Sequence, residues 1–258
     1  MKNVDLLGVP GVGKSTIIKA LEKNHSSKGG YLFPAAAKRL AARQALSGSP
    51  SYQERLAANL LNSATFYRTI GRLIIARKGY QKKALFSYAE NHYPFLENCA
   101  EGLALKSKDP AHMLLGATWL TKKLEEYYFL ERYLDQNRRV IFDESLLQKV
   151  FGIWDVAALD LEGIKNYYYH VPLPAGAIII EAPAELVAAR LKQRGKVITA
   201  HRNLEAEELI PWIEKAGTII DIAREILTER KVKVLVIPAA SSAQDSARRI
   251  DNYMKKLP

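Results

Sequence analysis

The sequence predicts an α/β fold in which helices flank a parallel sheet and a helical insertion separates the early strands. Three observations carry this. A glycine-rich loop near the N-terminus lies between a short apolar run and a helical stretch. Further short apolar runs, at 31–33, 140–142, 177–180 and 232–237, read as buried strands. Two long stretches between them repeat apolar residues at helical spacing.

The loop is Gly8-Val9-Pro10-Gly11-Val12-Gly13-Lys14-Ser15, a full match to G-x-x-x-x-G-K-[ST]. Val4-Asp5-Leu6-Leu7 before it reads as a buried strand, and the stretch from Thr16 to Leu21 as the first turns of a helix. Glycines let the backbone curl until successive N–H groups point at one anion. The helix N-terminus adds its partial positive charge. Gly8, Gly11, Val12, Gly13, Lys14, Ser15 and Thr16 are therefore the candidate phosphate cradle. Lys14 is expected to reach the β- and γ-phosphates of a nucleoside triphosphate, and the Ser15 hydroxyl to ligate Mg²⁺. In the empty loop Lys14 is expected to face solvent.

The first helix is expected to end at a loop signal over 26–30. Tyr31-Leu32-Phe33, closed by Pro34, fits a second strand. Ser51 and Glu54 form a capping box, and Leu56, Leu60, Ala64, Tyr67, Ile70 and Ile74 predict one long helix to about Lys78. Arg68 and Arg72 lie one turn apart on it, either a solvated face or an acceptor-binding pair at the edge of a site. Residues 80–105 read as helical without clear caps. Asp109-Pro110 starts a second long helix whose inner face carries Met113, Ala117, Leu120, Leu124, Tyr127, Leu130 and Leu134. The helical insertion thus spans about 51–135.

Val140-Ile141-Phe142 is a buried strand, and Asp143 and Glu144 follow at its carboxyl end, where ligands bind in open parallel sheets. Asp143 is placed to hold Mg²⁺, or to cap the next helix, or both. The aromatic and basic run 165–170 fits either base stacking or a helix end packed on the body. A strand at 177–180 leads into a helix bearing Arg190 and Arg194 at i, i+4, which Gly195 ends. Ile219, Ile222, Ala223, Ile226 and Leu227 mark another helix. A last strand and the loop from Pro238-Ala239 precede the C-terminal helix.

The chain has 258 residues, 48% of them apolar, and no repeat or Pro/Gly-rich linker divides it, so a single domain over 1–258 is expected. Cys99 is the sole cysteine, which excludes an intramolecular disulfide and fits a reducing compartment. With no membrane-length apolar run and no leader pattern, a cytoplasmic protein without membrane partners is expected. The net charge of +11 suits nucleic acid or polyanionic nucleotides. Basic residues are spread along the chain rather than massed, which favours nucleotides. His25, His92, His112, His170 and His201 are isolated and show no metal-site spacing.

The order of parts resembles the P-loop kinases of nucleosides and nucleotides, in particular thymidylate kinase and the deoxynucleoside kinases. It runs from phosphate loop through a helical middle to a strand ending in Asp143. A strand then leads into P-x-E…R-x-x-x-R-G-K, and a final strand and small-residue loop follow. The resemblance implies the three-layer P-loop fold, with about five parallel strands and an arginine-bearing lid over about 190–204. It also implies ATP with Mg²⁺, lid contacts from Arg190 and Arg194 to the transferred phosphoryl group, and Pro238 and Ala239 packed on adenine. A homodimer is compatible with it.

Two departures bear on the acceptor. Relatives carry an acidic residue just after the second strand, where this chain has Ala35-Ala36-Ala37. Thymidylate kinases place an arginine after the strand-end Asp, where this chain has Glu144. Glu144 would repel an acceptor phosphate and could fill the vacant role of base. The expected activity is transfer of the γ-phosphoryl group of ATP to a small acceptor with a neutral hydroxyl, nucleoside-like or sugar-like. Alternatives are a nucleotide kinase of the thymidylate kinase type, an ATPase or switch acting on a protein or nucleic-acid partner, and a polynucleotide end kinase.

Overall fold

The computed structural model describes residues 1–24, 30–106, 110–194 and 207–257; the side chains of Asn24, His112 and Arg194 fall outside that description. The predicted loop over 26–29, the Asp109 cap, the Gly195 helix stop and the lid beyond residue 194 lie outside the described residues.

β1 (Lys2–Leu7) leads through the phosphate loop into α1 (Lys14–Asn24), and β2 (Tyr31–Leu32) follows. Then come α2 (Pro34–Ser47), α3 (Tyr52–Leu60), α4 (Ala64–Phe66), a π-helical turn (Tyr67–Gly71) and α5 (Arg72–Arg77). α6 (Tyr80–Ala89), α7 (Tyr93–Lys106) and α8 (Pro110–Tyr133) complete the helical segment before β3 (Arg139–Phe142). A 3₁₀ turn (Leu147–Lys149), α9 (Val150–Ile153) and α10 (Leu161–His170) precede β4 (Gly176–Glu181). α11 (Ala184–Arg194), α12 (Leu209–Glu229), β5 (Lys233–Pro238) and α13 (Ala243–Lys256) close the chain.

The five strands are parallel, in the order β2-β3-β1-β4-β5. Side chains alternate between the faces of a strand, yet Asn3 through Leu7 and Gly176 through Ile180 are all buried. Both faces of the sheet are therefore covered by helices, as the apolar runs predict. β1 sits at the centre; the chain leaves it towards β2 on one side, and the later crossover from β3 runs to β4 on the other, which opens a crevice at the carboxyl end of β1. Among the described residues no helix is long and apolar enough to cross a membrane.

The helical segment differs from expectation in two places. It begins at Pro34, because α2 precedes the predicted start. Apart from Leu46 at its end, the buried stripe of α2 is Ala37, Ala41, Ala42 and Ala45, side chains too small to give a strong apolar period. The long helix expected over 51–78 is instead broken into α3, α4, the π turn and α5. Its inner stripe is Glu54, Ala58, Leu61, Gly71 and Ile75, while Leu56, Leu60 and Ile70 are about half exposed. Nor does Ser51 cap α3 through its side chain. Glu54 turns inward and binds Lys78 Nζ at 2.8 Å and the Tyr80 hydroxyl at 2.7 Å. These bonds hold its carboxyl down to about 2. α8 matches its predicted face from Leu120 to Leu134, although Met113 is exposed.

Gly8 follows β1 and passes close against β4. A Cβ at that position would stand 2.7 Å from the Ile180 carbonyl oxygen of β4, a backbone atom that cannot rotate aside. Gly8→Ala should therefore destabilise the fold by ~1–3 kcal/mol, the usual range for overpacking. Urea denaturation checks this; an unchanged midpoint would show that the strand end yields.

Candidate active site

The phosphate loop leaves the central strand and enters α1 directly. Gly11 and Gly13 have φ of 93° and 112°, a region that side chains other than glycine's rarely reach. This conformation turns the loop amides inward. Val12 N–H bonds back to Val9 O, and Thr16 and Ile17 N–H both reach Gly13 O. The amides of Gly11, Gly13, Lys14 and Ser15 find no acceptor among the described residues. Four unpaired donors around one concavity form an anion cradle.

Lys14 does not face solvent as expected. Its Nζ folds back and donates to Gly8 O at 2.7 Å. Burial pulls its pKa down to about 8, against the opposing fields of Glu144 and Asp143. The loop is also tied to the turn after β3, since Gly8 N–H donates to Gln148 Oε1 at 3.2 Å.

Arg190 reaches the same place from α11. Its guanidinium donates to Val12 O at 2.7 Å and to Ala239 O at 2.9 Å, bridging the phosphate loop and the loop after β5. Arg190, Ala239 and residues Gly11 through Thr16 thus share one cavity of about 630 Å³. Pro238 instead lines a separate cavity with Val9 and Glu181. The Arg194 side chain lies outside the described residues.

At the end of β3, Asp143 and Glu144 are both exposed, and Asp143 has no partner among the described residues. Glu144 pairs with Lys149 Nζ at 2.9 Å. Burial works against its charge, but the Lys149 hydrogen bond and the charges of Lys149, Lys123 and Lys14 hold its carboxyl below the ordinary range. Beneath this turn Asp5, buried in β1, accepts from Ser145 Oγ and from Asn3 Nδ2. Burial pushes Asp5 up to about 6, against the hydrogen bonds of Ser145 and Asn3 and the charge of Lys123.

Arg68 and Arg72 line a third cavity, of about 920 Å³, walled by the start of α2, the π turn with α5, and α8. Ala35 and Ala36, at the position where an acid is absent, lie in its wall. The aromatic run 165–170 packs on the body through two of its tyrosines, while Tyr169 is exposed. Tyr167 and Tyr168 are buried, with their hydroxyls on Leu146 O and Leu147 O at 2.6 and 3.4 Å, which packs α10 beneath the turn after β3.

Sequence reasoning missed Asp5, Ser145 and Gln148. A carboxylate inside the apolar run Val4-Asp5-Leu6-Leu7 was the available signal for the first. Nothing marked the other two, whose role depends on β1 and β3 being neighbours.

A five-stranded parallel sheet in this order, with helices on both faces and a phosphate loop leaving its central strand, is a three-layer P-loop α/β fold. No protein-family model matches the chain, and no curated protein matches it. Among solved structures it is similar to deoxyadenosine kinase from M. mycoides with bound dCTP, at 16% identity over 99% of this chain and 100% of that one, with a TM-score of 0.39.

Asp5 gives the site a pH signature. Its folded pKa of about 6 lies above the ordinary 3.8, so between those values the folded chain keeps a proton that the unfolded chain has released. Stability then falls as pH rises from about 4 to about 6. At 1.36 kcal/mol per pKa unit the loss is on the order of 2–3 kcal/mol. Asp5→Asn should remove it, so the variant gains that much relative to the wild type between pH 4 and pH 7. Urea titrations across this range measure it; parallel profiles for the two proteins would mean that Asp5 is not the source.

Proposed function

We propose that the chain is an ATP- and Mg²⁺-dependent phosphotransferase acting on the hydroxyl of a small, nucleoside-like acceptor. The observation that carries this is the cradle of four unpaired amides around Lys14, whose ammonium lies in the field of the strand-end carboxylates Glu144 and Asp143. Lys14 and Ser15 belong to the first turn of α1, whose amides any helix start leaves unpaired, and the strained loop adds those of Gly11 and Gly13 to the same concavity. Ser15 and Asp143 suit Mg²⁺: both are exposed, neither has a partner among the described residues, and hard oxygen donors match this ion. Bound there, the ion supplies charge neutralisation of the phosphates.

The chain's own groups do the positioning. The loop amides hold the phosphates, and Lys14 exchanges Gly8 O for a phosphate oxygen. Ala239 borders the nucleotide slot, and Arg190 sets its width. A contact from Arg190 to the transferred group requires it to release Val12 O and Ala239 O. Glu144 orients the acceptor hydroxyl. A carboxylate held in its ionised form fits that task, since a loose phosphoryl-transfer transition state needs alignment more than a strong base. The large cavity beside Ala35 and Ala36 receives the acceptor, with Arg68 and Arg72 on its wall.

Lys14→Ala should lower ATP turnover by roughly 10²-fold or more while costing about 1 kcal/mol of stability, the worth of one hydrogen bond. The assay screens nucleosides, nucleotides and sugars with ATP-Mg²⁺ and reads ADP release against an acceptor-free control. Stimulation by a small acceptor supports the kinase, whereas rapid release without one supports an ATPase. In the same assay Glu144→Gln should cut kcat and spare ATP binding. Full activity in either variant removes that residue from the mechanism.

A further inference from the structure

The acceptor cavity carries a charge that a neutral acceptor does not explain. Five cations line it: Lys38 and Arg39 from α2, Arg68 from the π turn, Arg72 from α5 and Lys122 from α8. Against them stand only Glu125 and Glu126. Glu126 is already held by Lys38 at 2.9 Å and by Lys123 at 2.9 Å. Arg39, Arg68, Arg72 and Lys122 have no hydrogen-bonded or ion-paired partner among the described residues. Cations gathered around a concavity repel one another, and solvated surfaces normally spread or pair them.

The backbone is shaped to gather them. In a π turn the chain widens by one residue, and such turns occur mostly as single units at functional sites. Here the turn covers Tyr67–Gly71, so it contains Arg68 and delivers the chain to Arg72. Gly71 allows it, since a Cβ there would stand 2.5 Å from Leu61 Cδ2, in the core under the turn. Both guanidiniums then reach the same cavity wall. Lys123 of α8 ion-pairs at 2.9 Å with Glu126 of this wall, and its charge also acts on the strand-end carboxylate Glu144.

The geometry points to an acceptor that carries a phosphate-type dianion, held by Arg39, Arg68, Arg72 and Lys122 while another part of the molecule meets the phosphate loop. Paired guanidiniums match a phosphate's geometry through forked hydrogen bonds. A cavity of about 920 Å³ has room for a sugar or nucleoside bearing that group. The inference rests on the phosphotransferase reading only for the claim that the occupant is the acceptor. It replaces an uncharged nucleoside or sugar with a phosphomonoester.

The test is isothermal titration calorimetry without ATP, on thymidine against thymidine 5′-monophosphate and on ribose against ribose 5-phosphate. At low salt the phosphorylated member of at least one pair should bind roughly 100-fold more tightly than its parent, with the preference shrinking as salt screens it. The double variant Arg68→Ala/Arg72→Ala should lose roughly tenfold or more of that affinity, so that the preference for the phosphorylated compound over its parent collapses. Both arginines are exposed, so the melting curve should hold. Arg68→Lys/Arg72→Lys, which keeps charge but loses the fork, should fall between. Absence of any phosphate preference, or full affinity in the alanine variant, overturns the inference. So does tighter binding of a 5′-phosphorylated oligonucleotide than of either mononucleotide-sized compound, which would give the cavity to a polymer. Phosphate-selective binding with no transfer from ATP to either compound keeps the anion site and sinks the kinase reading; transfer without phosphate selectivity does the reverse.

Discussion

Where β1 ends, the backbone of Gly8 is fixed on three sides. Its amide donates to Gln148, its carbonyl accepts from Lys14, and its missing side chain lets the chain pass against Ile180 of β4. One residue thus sets the phosphate loop against the turn after β3 on one flank and against β4 on the other. Neither contact exists until β1 has been inserted between those strands. The loop's geometry is therefore a product of the whole sheet rather than of the glycines alone. This fits the parallel architecture, in which no strand reaches its neighbour without a crossover.

Charge is organised around the same seam. Asp5 lies beneath it, Glu144 above it, and Lys14, Lys123 and Lys149 are spaced among them. Burying a carboxylate is costly, and Asp5 keeps part of that cost, as its raised pKa records. In return its bond to Ser145 fixes the turn that carries Asp143 and Glu144. Stability is given up locally so that two acidic side chains stand in a defined place. The lysines of this group face a carboxylate or a carbonyl, unlike the arginines of the large cavity.

Much of this was legible in the sequence. The five strands and their parallel class followed from apolar runs, and the phosphate loop from its spacing. Helix α8 followed from its period. What failed did so for identifiable reasons. α2 buries alanines, which are too small to show a stripe. α3 buries Glu54, so a rule that seeks apolar residues chose the opposite face and set Leu56 and Leu60 inward. The π turn breaks the 3.6-residue period on which that rule depends. Lys14 was expected in solvent because the motif describes the bound loop, while the empty loop offers its ammonium a carbonyl. Gln148 and Ser145 act only through strand adjacency, which a linear pattern does not contain. Arg68 and Arg72 could be paired from their spacing; Lys38, Arg39 and Lys122 join them only in three dimensions.

The bridge made by Arg190 has a kinetic side. By grasping Val12 O and Ala239 O at once, it staples the two loops that border the nucleotide slot proposed above. If entry requires the staple to open, only the opened fraction of molecules is competent, and the apparent dissociation constant rises by the inverse of that fraction. Association would then be gated by a rearrangement of the protein rather than by diffusion alone. A single arginine would thereby set how fast the proposed slot fills.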